Sequence, residues 1–185
     1  MKKLLLLSLI APVVFISCGQ RQNKKNQKSL YEVVEFSAPS ITVPENYTQI
    51  PNNSDDLIYA LEKNIDGILV ADFSVSVDND SVFKLVTNKE YIESAASNVE
   101  SWESQFKDMN YFEHIESVIV EFNNIGPVVK RSQNFIEDSE SNILIYSDVY
   151  QFIKNGHLFT CTGRTTNIEE HNEDFVEIMK SIKFD

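Results

Sequence analysis

Few side chains in this 185-residue chain are suited to catalysis or metal binding, since it has three histidines and two cysteines. His157 and Cys161 are four residues apart in an apolar, strand-like segment, so they share a face but lie about 13 Å apart. His171 and Asp174 are three apart in a helical segment and can touch one cation, although a solvated acidic helix start is the simpler interpretation. The five glycines are scattered, not grouped in a phosphate-binding loop. We therefore predict no catalytic residue, no metal site and no cofactor.

Two other charged groups have simple interpretations. Asp78-Asn79-Asp80 offers oxygen ligands for calcium, but the further ligand and the glycine that an EF-hand loop requires are missing, so a turn is preferred. Basic side chains also fall within the predicted strands, at Lys130, Arg131 and Arg164. They either mark a patch for an acidic ligand or occupy ordinary exposed strand positions, and the second interpretation is preferred.

Residues 1–17 have the pattern of an export signal. Lys2 and Lys3 precede an apolar run over residues 4–16, and the small residue Ser17 follows. A charged start, a short apolar run and a small residue at the cleavage point are typical of a secretory signal peptide. Thirteen helical residues rise only about 20 Å, short of the roughly 30 Å hydrocarbon core, so a membrane-spanning helix is the weaker interpretation.

The end of this run, Phe15-Ile16-Ser17-Cys18-Gly19, resembles the lipobox of bacterial lipoproteins, with Phe15 where that family usually has leucine. In that family the cysteine thiol is acylated, for example with palmitate, and the peptide bond before it is cut. The resemblance implies that Cys18 begins the mature chain and holds it at a membrane through lipid. The alternative is ordinary secretion, with cleavage elsewhere and Cys18 removed or free.

The rest of the chain divides into a basic tether and an acidic domain. Residues 18–28 contain no apolar side chain after the cysteine and carry four basic residues, which is typical of a flexible linker. Residues 29–185 have a normal length for one domain. They hold 10 basic and 28 acidic side chains, a formal charge of −18. This acidity opposes nucleic-acid binding and favours basic partners. The alternative is that the acidic surface only keeps the protein soluble.

The densest acidic group lies at the start of the predicted C-terminal helix, over residues 168–182. It consists of Glu169, Glu170, Glu173 and Asp174. We take these four as the candidate surface for a basic protein partner. The alternative is that they only complement the positive end of the helix dipole and keep the protein in solution.

Periodicity predicts two helices and a set of antiparallel strands. An Asp-Gly turn joins strands over 56–64 and 68–77, and an Asn-Gly turn joins the last two of four later strands. A helix with an apolar stripe that includes Trp102 and Phe106 is predicted over 88–108. The four later strands are predicted over 117–122, 128–136, 143–153 and 158–165.

The strand over 143–153 is apolar on both faces, which places it inside a sheet covered on both sides. Two amphipathic helices and such a sheet predict an α+β domain, a three-layer α/β/α sandwich around a mainly antiparallel sheet. Cys161 falls in a strand pattern and is interpreted as a small buried hydrophobe.

This order of elements resembles the PsbP-like family, named for an extrinsic subunit of photosystem II and including many bacterial lipoproteins. The similarity covers residues 36–184. It is carried by the opening FSAPSITVPENY over 36–47, with Tyr47 where tryptophan is often found, and by IKNGHLFTCT over 153–162. The resemblance implies a non-enzymatic protein. Because members of the family bind quite different partners, no binding residue can be transferred.

Two functions from different classes follow. The preferred one is a non-catalytic binding or accessory module at the cell envelope, facing the periplasm or the exterior, with a basic protein partner suited to its charge. The alternative is a small hydrolase or ligand-processing enzyme whose site is assembled only in three dimensions. A deep pocket holding a histidine and a carboxylate within hydrogen-bond reach would favour the enzyme.

Overall fold

The structure is a computed structural model, and it describes residues 37–52, 54–109, 111–136 and 142–184. The predicted signal peptide (1–17) and tether (18–28), including Cys18, lie outside the described residues.

Within the described residues, seven strands form one sheet in the order β1-β2-β3-β7-β6-β5-β4, and every neighbouring pair is antiparallel. The strands are β1 Thr48–Gln49, β2 Leu57–Ile65, β3 Ile68–Asp78, β4 Tyr111–Phe122, β5 Gly126–Ile136, β6 Leu144–Lys154 and β7 His157–Thr165. The α-helices are α1 Asn88–Ser97, α2 Val99–Glu103 and α3 Ile168–Ser181, and short 3₁₀ helices cover Ser81–Leu85 and Ser104–Phe106.

The helices cover opposite faces of the sheet. Trp102 of α2 packs in a cluster with Val149 of β6, whereas Phe175 of α3 belongs to the main core with Tyr150 of β6. Because Val149 and Tyr150 are adjacent in a strand, their side chains point to opposite faces. This arrangement confirms the predicted α+β fold with helices on both sides of an antiparallel sheet.

The main core lies between α3 and the sheet. Gly163 of β7 sits directly under the ring of Phe175, where a Cβ atom would lie 2.5 Å from the nearest ring carbon. Cys161 on the same strand has no exposed surface, and burial raises the pKa of its thiol. Its predicted role as a small buried hydrophobe is confirmed.

The long helix predicted over 88–108 is interrupted. α1 ends at Ser97, and the side chain of Asn98 accepts a hydrogen bond from the Ser101 backbone N–H (3.3 Å) to cap α2. Asparagine bonds readily to nearby backbone, so it favours a cap over a helix interior. The cap of α1 is Thr87, not Asn88, and Thr87 forms a capping box with Glu90.

Before β1, the chain pairs with the segment after α3 through an isolated bridge between Ser40 and Lys183. At the start of α3, Asn167 makes no capping hydrogen bond through its side chain. The predicted turns at Asp66-Gly67 and Asn155-Gly156 have positive φ at both positions, as a two-residue type I′ hairpin requires.

α3 crosses its face of the sheet obliquely. At its middle, Asp174 pairs with Lys63 of β2 at one side of the sheet (2.9 Å). Its end lies at the other side, where Asn124, between β4 and β5, donates to the backbone oxygens of Met179 (3.0 Å) and Ile182 (2.6 Å). At the opposite end of β4, side chains such as Glu113 and Glu116 are exposed. The oblique path therefore leaves an opening between the helix and β4–β6.

Candidate functional site

A cleft of about 540 Å³ occupies this opening, a volume within the range of small-molecule sites. The side of α3 that faces β4–β6 forms one wall, the middle of β5 and β6 forms the floor, and the end of β4 with its following turn forms the second wall. The lining residues are Val120, Glu121, Phe122, Asn123, Asn124, Lys130, Tyr150, Asn172, Val176 and Lys180.

Asp148 of β6 lies against this floor and has no exposed surface. Its Oδ1 accepts hydrogen bonds from Ser132 Oγ (2.6 Å) and from the Tyr146 hydroxyl (2.8 Å). Its Oδ2 accepts one from the Tyr150 hydroxyl (3.3 Å) and lies 3.1 Å from Lys130 Nζ. A carboxylate is stable in such a place only with a counter-charge and hydrogen bonds, and Asp148 has both. We call these five residues the Asp148 network.

Strand register places the network on the side of the sheet that α3 covers. Lys130 pairs with Tyr150 and Ser132 pairs with Asp148 across β5 and β6. Because side chains alternate along a strand, these residues and Tyr146 all point to one face. The sequence pattern places Tyr146 and Tyr150 on one of the two apolar faces of this strand. Asp148 lies between them on the same face and was not predicted as a site residue. The signal that was available is a lone carboxylate within an otherwise apolar, period-two face.

Charge in the network is internally balanced. Burial and the nearby Asp148 carboxylate raise the pKa of both Tyr146 and Tyr150, so both phenols remain hydrogen-bond donors at neutral pH. Lys130 is largely buried, and its Nζ also lies 3.9 Å from Glu116 Oε1. The two network residues that line the cleft, Lys130 and Tyr150, are therefore held in place by Asp148, which also balances the charge of Lys130.

The structure corrects both interpretations of the strand cations. Lys130 faces the cleft, whereas Arg131 points to the other face, is 4% exposed and donates to Gln151 Oε1 (2.6 Å). Arg131 also donates to the Ala95 backbone oxygen (2.7 Å). Arg164 pairs with Asp72, with Nε 2.9 Å from Oδ1. These three residues do not share a patch for an acidic ligand, and they are not ordinary exposed strand residues. Each forms an ion pair or hydrogen bonds with a buried or partly buried partner.

The four acidic residues at the start of α3 do not share one environment. Glu169, Glu170 and Glu173 are exposed. Asp174 instead turns toward the sheet, where its Oδ2 lies 2.9 Å from Lys63 Nζ and accepts a hydrogen bond from the Tyr47 hydroxyl (3.4 Å). We call Glu169, Glu170 and Glu173 the exposed acidic trio.

His171 does not lie in solvent as the helix-start interpretation expected. It is 2% exposed, and its Nδ1 is 3.3 Å from Lys63 Nζ and 3.6 Å from Asp174 Oδ2. The same lysine thus ties both residues to β2. His157 and Cys161 are both buried on β7, and neither lines the cleft.

The acidic group Asp78-Asn79-Asp80 links the end of β3 to the first 3₁₀ helix. Asp78 Oδ1 accepts from the Asp80 backbone N–H (2.9 Å), and Asp80 Oδ1 accepts from the Val82 backbone N–H (3.0 Å) and caps that helix. Over the described parts of the chain, no three histidine, cysteine or acidic side chains are grouped closely enough to hold a metal ion. None of the helices described is both long and apolar enough to span a membrane.

No family model matches the chain, and no curated protein matches it either. Several solved structures do match. A 1.50 Å crystal structure from Bacteroides thetaiotaomicron VPI-5482 aligns over 80% of this chain with a TM-score of 0.52 and 10% identity. This chain spans only 45% of that protein.

Two further structures cover most of both chains. Cyanobacterial PsbP from Synechocystis sp. PCC 6803 aligns over 85% of this chain and 99% of its own, with a TM-score of 0.49 and 10% identity. Protein PA94 of Pseudomonas aeruginosa, of unknown function, aligns over 80% of this chain and 85% of its own, with a TM-score of 0.46 and 13% identity. A solved PsbP is thus among the matches, and similarity at this level concerns the fold alone.

Proposed function

We propose that this chain is a non-catalytic binding module, held at the cell envelope by lipid on Cys18, and that its ligand occupies the cleft beside α3. The observation that carries the proposal is the cleft floor, where the two lining residues Lys130 and Tyr150 are both held from behind by the buried Asp148 carboxylate. A fully satisfied network holds its members in one arrangement, and a binding site requires side chains held in this way.

The chemistry of the lining favours binding over turnover. The ten described lining residues include two lysines, one carboxylate, one phenol and three amides, but no histidine, cysteine, serine or threonine. The hydrolase alternative required a histidine and a carboxylate together in a deep pocket. In the part of the chain described, the paired His171 and Asp174 contact Lys63 instead and do not line this cleft.

Filling the cleft should abolish ligand binding. Val176 lies on the α3 wall, so Val176→Trp places a bulky ring where the ligand would sit. We expect full-length protein incubated with envelope extract to carry a bound mass in native mass spectrometry, and Val176→Trp to lose it. Glu93→Trp is the matched control, since Glu93 is exposed on α1 at the other face. Equal bound mass in both variants would reject the cleft as the site.

The lipid anchor gives a direct prediction. Cys18→Ser removes the thiol that the lipobox resemblance implies is acylated, so labelled palmitate should no longer enter the protein and uncleaved precursor should accumulate. The measurement is acyl labelling of cells producing either form, with Cys161→Ser as the control, because that thiol is buried. Undiminished labelling of Cys18→Ser would disprove anchoring at this residue.

A basic protein partner remains part of the proposal, and the exposed acidic trio is its candidate docking surface. Opposite charges accelerate encounter at low salt, so Glu169→Gln, Glu170→Gln and Glu173→Gln together should slow association several-fold at low ionic strength and hardly at high ionic strength. The triple variant should fold normally, because these side chains are exposed.

Asp174 should behave differently from the trio. Asp174→Asn breaks a partly buried pair with Lys63 and should cost about 1–3 kcal/mol of stability. Stopped-flow association and urea unfolding separate the two effects. If the association rate of the unmutated protein with a partner does not depend on salt concentration, the electrostatic part of the proposal is wrong.

A further inference from the structure

The wall of the cleft contains an acceptor that the fold leaves unused. Asn172 Oδ1, on α3, is buried and makes no hydrogen bond within the described structure. An unsatisfied buried acceptor costs on the order of 1–3 kcal/mol, so such a group in a cleft points to a donor supplied from outside the chain. A ligand that bears an N–H or O–H group would meet this acceptor.

A neighbouring side chain offers a second acceptor. Asn124 donates its amide hydrogens to the backbone oxygens of Met179 and Ile182 at the end of α3. What remains for a ligand is its Oδ1, because a side-chain amide has two hydrogens and one acceptor oxygen. Both amides thus favour a ligand that donates hydrogen bonds.

The charges of the lining argue against an ionic ligand. Lys130 is balanced by Asp148 at 3.1 Å, and Lys180 by Glu177 at 2.8 Å. A cation would lie beside two lysines, and an anion would lie against the Asn172 and Asn124 oxygens and the Glu121 carboxylate. The lining therefore matches a molecule without net charge.

The lining of the cleft also has an apolar part. Val120 and Phe122 from β4 and Val176 from α3 line the cleft with the polar groups. A ligand that fits has C–H surface for these side chains and groups that both donate and accept hydrogen bonds. Hydroxyl groups do both, and a ring of C–H groups bearing hydroxyls supplies the apolar surface as well.

We propose that the cleft binds an uncharged, hydroxyl-rich small molecule, with a saccharide of one or two rings as the chemical class. This inference rests on the proposed function, because it names the ligand class of the same cleft. Asn172 and Asn124 accept hydrogen bonds from ligand hydroxyls, Lys130 and Lys180 donate to them, and Val176 and Phe122 contact the ring.

The test uses ¹⁵N-labelled full-length protein in detergent, titrated with glucose, N-acetylglucosamine and maltose. Their charged counterparts, gluconate and protonated glucosamine, are titrated in parallel. We expect the neutral sugars to shift the Asn172 side-chain amide resonances, with an affinity indifferent to salt. Asn172→Leu should weaken binding roughly tenfold, since it removes the buried acceptor. Asn167→Ala is the matched control just before the same helix, because Asn167 makes no capping bond through its side chain.

The outcomes separate the ligand class from the site. Tighter binding of gluconate or glucosamine at Asn172 would overturn the neutral class and leave the cleft as a binding site. No shift with any of the three neutral sugars would overturn the saccharide proposal. Loss of the envelope-derived mass in Val176→Trp, measured independently, decides whether the proposed function itself stands.

Discussion

Replacing Asp148 by alanine is expected to lower the free energy of unfolding by about 3–5 kcal/mol, because it leaves a largely buried lysine with only the more distant Glu116 carboxylate, at 3.9 Å, as a counter-charge. The substitution also removes the acceptor for three hydroxyl groups, those of Ser132, Tyr146 and Tyr150. Equilibrium unfolding in urea measures the change, and the midpoint should fall with little change in slope.

Two variants make this result specific. Glu177→Ala breaks an ion pair of similar length with Lys180, but both side chains are exposed, so the expected loss is about 0–1 kcal/mol. Asp148→Leu combined with Lys130→Met removes both buried charges together and should recover much of the lost stability. If Asp148→Ala costs no more than Glu177→Ala, the network is not the rigid floor described above.

Trp102→Ala is expected to cost a similar amount, about 3–5 kcal/mol, for a different reason. Trp102 is 5% exposed, and its ring lies 5.2 Å from that of Phe106. Its Nε1 donates to Gln133 Oε1 (2.8 Å), and the Arg131 guanidinium lies 4.6 Å from its ring centroid. The substitution therefore creates a cavity, leaves the Gln133 amide oxygen without its donor, and removes the ring that the Arg131 guanidinium lies against.

The same residue allows an independent check. Trp102 is the single tryptophan of the chain, so intrinsic fluorescence reports on this site alone. Native protein should resist quenching by iodide, and unfolded protein should not. Ile119→Ala serves as the stability control, because Ile119 is 49% exposed and its loss should cost far less. Free quenching in the native state would contradict the placement of Trp102 between α2 and the sheet.

Much of the fold was predictable because each strand carries a strong local pattern. The alternation that buries Phe73 and Val75 and the turns at Asp66-Gly67 and Asn155-Gly156 are short-range signals. The break at Asn98 was missed because residues on both sides keep the helical apolar spacing. Only the backbone-bonding tendency of Asn98 itself indicated a new cap.

The cleft was far less predictable. Its floor depends on the register of β5 against β6, which brings Ser132 opposite Asp148 across many residues of sequence. Its walls depend on the oblique path of α3, fixed by distant contacts such as Asn124 with Met179. The position of Asp174 was unpredictable for the same reason. Its ion pair with Lys63 joins residues far apart in the sequence, and no local pattern indicates it. Charge composition grouped all four acidic residues together and could not show that Asp174 pairs with Lys63.

The central claim, that the cleft holds the ligand of an envelope-anchored module, is tested most directly by photo-crosslinking in cells that produce the full chain. A photoreactive phenylalanine replaces Lys180 at the cleft wall, or Glu93 on the opposite face as the control. After irradiation, mass spectrometry of the purified protein should find an added mass on the peptide that contains position 180 and none on the peptide that contains position 93. No adduct at position 180, or equal adducts at both positions, would contradict the account.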